Sequence, residues 1–478
     1  MGVSHTFNVA ATTAIEKIQG LVDKRMSEEP RISAASQRSF ESAVIEVVME
    51  LGREIIRADI ERHDLDVPGI IVQGRTYRRK HQAKKQYLTS AGEIEVKRTV
   101  YVERGGQGGP SVVPLELRLG LVDGYWTQRA AELGCRYMEE CTSKKSAELL
   151  SIHKGMSPSA SHLDRLPKTV GAVWEAHREV LEADVRKLDT LPAAAEVATI
   201  LVSKDGIMLR MKDAPVSKAT EGPKGHKEVG CGTVTLLDGE GKRLKTVKLG
   251  RLPETKMKTL VGQLAAEMKE LKQAYPKAKW QAISDGAREN WRSFNHLSLE
   301  VGVKLERTLD FWHAMEHLAD ALKLAYGPDT EAIEAELTEW RETLQTNCHG
   351  PGKLIRHLQN LEAKVSGKQK RKDYRREVRY FRTNREAGRM RWATLRKHNQ
   401  PIGSGLMEAA CKTLVTERMK RSGMSWLAPG GQAILTLRAL HQSGRMNAAW
   451  DALGPHFAAN VQIDPEPRRK RPCYASAA

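Results

Sequence analysis

Apolar positions fall into three successive rhythms along the chain. Residues 1 to about 65 read as helices: within Phe40 to Ile60, Val44, Val47, Val48, Leu51, Ile55 and Ile56 recur at intervals of three and four, so one face must be buried against another helix or another subunit. From Gln86 to Val102 the rhythm shortens to alternation around Ile94 and Val96, and Ser90-Ala91-Gly92 joins two strands. Ahead of them runs a basic arm, Arg75, Arg78, Arg79, Lys80, Lys84 and Lys85, fit either to track DNA or to form a solvated face. Gly105 to Pro110, GGQGGP, is a flexible break. Residues 128 to 185 turn helical again, and Lys145–Leu150 and Pro158–Leu166, around a turn at Gly155 and Ser157, have helix-turn-helix spacing with Ser159, Ser161, His162 and Arg165 facing outward.

A strand-rich block comes next. Val197 to Val202 is apolar apart from Thr199, as in a strand buried on both faces, and is expected to end at Lys204-Asp205-Gly206. Ile207 to Met211 continues as strand, Lys212 to Lys227 is a Gly/Pro/Lys-rich loop, and Val229–Leu237 with Arg243–Leu249 pair around Asp238-Gly239. Then come a helix over Thr255–Ala274, a strand over Trp280–Ser284 ending at Asp285-Gly286, a helix over Ala287–Leu297 and a strand over Val301–Leu309. Phe311 to about Asn399 is almost wholly helical. Past the loop at Gly403 and Gly405, Met407, Cys411, Leu414 and Val415 form an apolar helical stripe with Glu408 in the first turn, and a further helix covers Pro429–Ser443. The expected divisions are an N-terminal helical and hairpin region (1–127), the helix-turn-helix region (128–190), an α/β region in two pieces (195–310 and 401–445) around a helical insertion (311–400), and a disordered basic tail (446–478) carrying EPRRKRP.

Charge sharpens this picture. The chain has 478 residues with a net charge of +18. Gly350 to Ser422 holds 20 Lys/Arg against 6 Asp/Glu, so the positive charge concentrates late in the chain. Such a concentration points to a polyanion, DNA above all, as partner, with a solvated basic face as the plainer explanation. Six cysteines without C-x-x-C spacing fit a reducing cytoplasm and disfavour a zinc-dependent regulator. No signal peptide and no stretch of membrane-spanning length is apparent, so the expectation is a cytoplasmic protein with no membrane partner.

The strand order sets Asp205 and Asp285 on neighbouring strands of a mixed sheet, and Glu408 can join them if the insertion folds away as its own lobe. Two strand-end turns, for which Asp-Gly is routine, are the simpler alternative. Three convergent carboxylates need compensation, which divalent cations with oxygen ligands, Mg²⁺ or Mn²⁺, supply; a pair of ions about 3.5–4 Å apart clamps the attacking and leaving oxygens of phosphoryl transfer.

Asp205 in SKDG, Asp285 in ISDGAREN, the LDFWHAMEHL segment and GSGLMEAACKTLVTERMKRSGMSW resemble bacterial insertion-sequence transposases of the DDE class, the ISKra-type group in particular, from Tyr87 to about Arg438. The resemblance implies an α/β fold, an RNase H-like mixed five-stranded sheet with flanking helices, interrupted by an all-α insertion and preceded by a mostly helical DNA-binding region. It implies Asp205, Asp285 and Glu408 as catalytic metal ligands, and Asp310 with His313 as an accessory D-x-x-H element in which Asp310 orients the histidine. Lys412, Arg418 and Arg421 would hold phosphate, and insertion aromatics would stack on unpaired bases. The implied activity is Mg²⁺-dependent cleavage of double-stranded DNA at element ends and strand transfer into target DNA, by a homodimer or larger assembly on DNA in a bacterial cytoplasm, at the nucleoid. One departure stands out: the cysteine pair associated with related hairpins is missing after Val102, where this chain has ERGGQGG, which puts zinc there in question. A nuclease of the same fold and a non-catalytic DNA-binding protein derived from a transposase are the rival readings.

Overall fold

The computed structural model describes residues 3–27, 33–105, 111–152, 155–212, 225–327 and 330–465. It is mixed α/β, with two five-stranded sheets. The chain forms two units, Met1–Asp184 with Asn447–Ala478, and Val185–Met446. Among the described residues no helix is long and apolar enough to cross a membrane. GGQGGP beyond Gly105, most of the Lys212–Lys227 loop and EPRRKRP lie outside the described residues.

The first unit opens with α1 (Val3–Ser27) packed on α2 (Ala34–Glu61), which starts at a capping box formed by Ser33 and Ser36. Then come β1 (Gly69–Val72), β2 (Arg75–Thr89), β3 (Gly92–Glu103) and β4 (Ser111–Val112). The basic arm is therefore not a prelude to the hairpin but its first strand, in register with β3 from Tyr77 to Thr89. Alternation explains the burial: Ile94 and Val96 point inward with Tyr87, while Glu93, Glu95 and Lys97 are exposed. After α3 (Pro114–Leu119), α4 (Gln128–Glu140), α5 (Ser143–Ile152) and α6 (Ala160–Ala176) pack against one another, and α7 (Arg178–Leu188) leads out of the unit. The Ser159 hydroxyl caps α6 by accepting from the His162 amide, and α6 runs ten residues beyond Leu166, with Pro167 inside it.

The second unit is built on β5 (Thr199–Arg210), β6 (His226–Leu237), β7 (Arg243–Arg251), α8 (Lys258–Ala274), β8 (Lys279–Ser284), α9 (Arg288–Val301) and β9 (Leu305–Leu309). Its sheet has the order β7-β6-β5-β8-β9, with β5, β8 and β9 parallel and β6 antiparallel to both its neighbours. Residues alternate between two apolar layers. Ile200 and Val202 meet Leu260, Leu264 and Phe294 of α8 and α9 on one face, and Leu201, Leu209, Val229 and Cys231 look to the other. The insertion comprises α10 (Phe311–Tyr326), α11 (Thr330–Thr346), α12 (Gly350–Leu361), α13 (Lys368–Glu386) and α14 (Trp392–Lys397). The chain returns to the second face of the sheet with α15 (Gly405–Cys411), a π-helical turn (Lys412–Thr416), α16 (Glu417–Met419) and α17 (Ala428–Gln442). It ends in the first unit with α18 (Met446–Leu453) and β10 (Val461–Ile463), which pairs with β1. The tail expected from residue 446 is thus ordered through Ile463, because β10 completes a sheet edge.

Candidate active site

β5 does not stop at Asp205, as the Asp-Gly pair led us to expect; it continues to Arg210, and Asp205 sits mid-strand opposite Cys231. Gly206 is there for space rather than for a turn. A Cβ at Gly206 would fall 1.7 Å from the Glu228 carboxylate, which lies across it from β6. Asp285 does follow the end of β8, and Gly286 behind it has φ +104°, a left-handed value that suits glycine, with a Cβ there meeting the Tyr380 ring at 2.8 Å. Ser203 pairs with Ile283 in the parallel β5–β8 register, and each aspartate lies two residues further on. Parallel neighbours are about 4.8 Å apart, so both carboxylates arise at one edge of the sheet, on the face where Leu201 and Ile283 meet Leu406 of α15.

Asp285 is held firmly. Its Oδ1 accepts from the Ser284 hydroxyl at 2.8 Å, the Ala287 amide at 3.0 Å and the Asn290 amide group at 3.3 Å. Its backbone carbonyl accepts from the Tyr380 hydroxyl at 2.9 Å. Asn290 in turn accepts from the buried Lys204 ammonium at 3.0 Å. Burial pushes the Asp205 carboxyl above its usual range, and the nearby Asp285 and Glu228 charges add to the rise against the Gly206 amide and Lys204. Burial lowers the Lys204 ammonium, countered by Glu228, Glu289, Asp205 and Asp285.

Glu408 lies in the first turn of α15. α15 packs on β5 and β6 through Met407, which the Thr233 hydroxyl approaches at 3.8 Å, and Cys411, but the Glu408 carboxylate is exposed and accepts from the Ser404 hydroxyl at 3.3 Å. Among the described residues no three His, Cys, Asp or Glu side chains are gathered into a set that could hold an ion.

The D-x-x-H element has a different physical basis from the one expected. Asp310 caps α10: one carboxylate oxygen accepts from the His313 backbone amide at 2.9 Å and the other from the Ser404 amide, so it ties the start of the insertion to the approach of α15. It does not orient the His313 ring, whose Nδ1 pairs instead with Glu316 at 3.0 Å. Arg418 also departs from expectation. It is 3% exposed, with its guanidinium 5.2 Å over the Trp426 ring and Nη1 3.6 Å from the Met424 sulfur, so it packs the core rather than offering itself to phosphate. Lys412 and Arg421 are exposed. Of the insertion aromatics, Trp340, Tyr374, Tyr380 and Trp392 are buried or half-buried, whereas Trp312 is 49% exposed beside Gly403.

Sequence reasoning missed Lys204, Glu228, Asn290, Tyr380 and Arg438. The last is fully buried and donates to the Thr413 and Leu414 carbonyls of the π-helical turn. Asn290 had a signal, lying in ISDGAREN one turn after Asp285; Tyr380, 95 residues downstream of Asp285, had none.

No family model and no curated protein matches the chain. Among solved structures it is similar to a Drosophila P element transposase strand transfer complex, at 9% identity over 65% of this chain and 91% of that one, with a TM-score of 0.36. A likeness that loose carries no argument, and the functional reading rests on this chain's own residues.

Proposed function

We propose that the second unit is an RNase H-like catalytic core and that the protein is a DDE-type DNA transposase, cleaving strands at element ends and joining them to target DNA. The observation that carries this reading is the pair Asp205 and Asp285, two residues past the same rung of two parallel strands, on the sheet face covered by the helix of Glu408. The donor set fits a hard divalent cation: oxygen ligands only, with Asp205 already raised by burial and by Asp285. Asp205, Asp285 and Glu408 would hold Mg²⁺ or Mn²⁺. Bound there, the ion would supply Lewis-acid stabilisation of phosphoryl transfer.

The protein's own share is positioning and charge. Ser284, Asn290 and the Ala287 amide fix the Asp285 carboxylate, and Tyr380 fixes its backbone. Exposed Lys412 and Arg421, on the segment after Glu408, meet phosphate, and exposed Trp312 offers a face for an unpaired base. The three-helix set α4, α5 and α6, with Ser161 and Arg165 exposed on α6, reads the element end. Bringing two ends together calls for a homodimer or larger assembly on DNA, in the cytoplasm.

The exposed Glu408 carboxylate, hydrogen-bonded to Ser404, and the absence of an ion-holding set among the described residues favour one rival, a DNA-binding protein descended from such an enzyme. Incubating the protein with labelled end-containing and unrelated duplexes in Mg²⁺ or Mn²⁺, beside Glu408→Gln and Asp285→Asn, separates the two. Cleavage that exposes a 3′-OH and joins it to a second duplex, lost in both variants, is expected. Binding without cleavage, equal in all three proteins on DNA with the true ends, would leave the rival standing.

A further inference from the structure

α13 has two unlike faces. Inward, Tyr374, Val378 and Phe381 are buried in the core, Glu377 takes the His317 ring, and Tyr380 reaches the Asp285 carbonyl. Outward stand Lys368, Lys372, Arg375, Arg379 and Arg382, all exposed. Their spacing of 4, 3, 4 and 3 residues places all five within an arc of about 80° on a helix of 3.6 residues per turn. Arg375 meets Glu362 at 2.6 Å. Lys368, Lys372, Arg379 and Arg382 have no carboxylate partner among the described residues.

A run of charge is most often a solvated face, and such faces mix their signs. This insertion sorts them. α13 carries nine Lys/Arg against three Asp/Glu, while α11 carries five Glu against one Arg. Cations left unpaired on one helix, with carboxylates collected on another of the same lobe, make a field that attracts a polyanion to one side.

We infer that the outward stripe of α13 is a track for the backbone of duplex DNA, setting the duplex beside Asp285. Fourteen residues at a rise of 1.5 Å give the stripe a length of about 21 Å, matching about six phosphates of one strand at 3.4 Å of axial rise each. Tyr380 makes the placement specific: the helix that would hold the backbone is hydrogen-bonded to the turn that carries Asp285. The significance of the track for catalysis rests on the proposed role of Asp285; the track itself rests on charge and exposure alone.

Binding of a short labelled duplex of unrelated sequence is measured by fluorescence anisotropy over a range of NaCl concentrations, without divalent cation. The variants are Arg379→Ala with Arg382→Ala and, as a control of equal charge, Lys277→Ala with Lys304→Ala, exposed residues at the opposite ends of β8 and β9 from Asp285. The stripe variant is expected to bind at least about tenfold more weakly at low salt and to flatten the slope of log K against log salt by about 2, with the control close to wild type. Circular dichroism melts that match wild type establish that both are folded. Equal slopes for the two variants, no binding by the wild type, or tighter binding of an RNA duplex of the same length each overturn the inference. Metal-dependent cleavage by wild type against Asp285→Asn is scored separately. Cleavage with no stripe effect sinks the track and leaves the transposase reading, and a stripe effect without cleavage does the reverse.

Discussion

The two five-stranded sheets of this protein differ in how their strands are connected, and that difference decides where side chains from distant parts of the chain come side by side. In the first unit the order β10-β1-β2-β3-β4 is antiparallel throughout, and β2 and β3 turn straight back on each other. Side chains alternate in and out along such a ladder, and its cations find neighbours: Arg79 with Asp66, Lys84 with Glu95 at 2.6 Å, and Lys85 with Glu116 at 2.9 Å. The basic arm, fit in sequence either to track DNA or to form a solvated face, thus has Arg75, Arg79, Lys84 and Lys85 paired with carboxylates of the sheet and of its flanking segments. In the second unit β5, β8 and β9 run parallel, so residues far apart in the chain, Asp205 within β5 and Asp285 just past the end of β8, come side by side two residues beyond the same rung. Positive charge marks where a polyanion can lie; parallel topology marks where carboxylates can converge.

The largest expected effect tests that division directly. Asp285→Asn should lower metal-dependent strand cleavage about 10³-fold, the loss of several kilocalories of charge stabilisation at the reacting phosphate. A variant that kept full cleavage in Mg²⁺ would take the chemistry away from the parallel edge. The counterpart in the antiparallel sheet is Tyr101→Phe. The Tyr101 hydroxyl shares its one proton between the Leu65 and Val67 carbonyls, 2.7 and 2.8 Å away, and accepts from the Val67 amide at 3.0 Å, so its removal should cost about 1–3 kcal/mol in denaturant unfolding. Cleavage at a temperature where the variant is folded should stay at wild-type level. A large loss there would bring the first sheet into the chemistry.

Tyr380→Phe lies between these cases. It keeps the ring stacked on His317 at 3.8 Å and removes only the hydrogen bond to the Asp285 carbonyl, so cleavage should fall about tenfold with the fold unchanged. Rate constants at saturating metal would show it; a wild-type rate would mean that Ser284 and Asn290 suffice to hold the turn.

The sequence was legible where one period governed a whole segment. The apolar run before Lys204, the Trp280–Ser284 strand and the helices between them place the sheet order, and with it the relation of Asp205 to Asp285. Boundaries failed where one local signal had two causes. Asp-Gly at 205 reads as a turn, but the glycine makes room for Glu228 across the strand; Asp310 three residues before His313 reads as a carboxylate-imidazole pair, but it caps a backbone amide. Arg418 and Arg421 are three residues apart in one basic run, and only the wider turn behind them and the position of Trp426 decide that one is core and the other surface. Tyr380 was out of reach for a different reason: its link to Asp285 spans most of the insertion, and no periodicity encodes a contact between distant segments.

The smallest effect concerns the stability of the edge itself. Burial, with Asp285 and Glu228, raises the Asp205 carboxyl above the value of 3.8 that it has when exposed, so the folded chain holds that proton more tightly than the unfolded chain. The resulting stabilisation is fully present below the unfolded value and is lost as pH rises through the folded one. Above the folded value wild type therefore carries an ionised Asp205 at a cost to its fold, which Asp205→Asn lacks. The variant should melt above wild type at pH 7, and the gap should close as pH falls through the folded value toward 3.8. Mg²⁺ should narrow the gap at pH 7 by stabilising wild type alone, because a cation held by Asp205 binds the folded state and not the unfolded one. A variant that melted below wild type at pH 7, or a gap indifferent to both pH and Mg²⁺, would mean that Asp205 contributes to the fold as an ordinary strand residue, and the two sheets would then differ in connection but not in purpose.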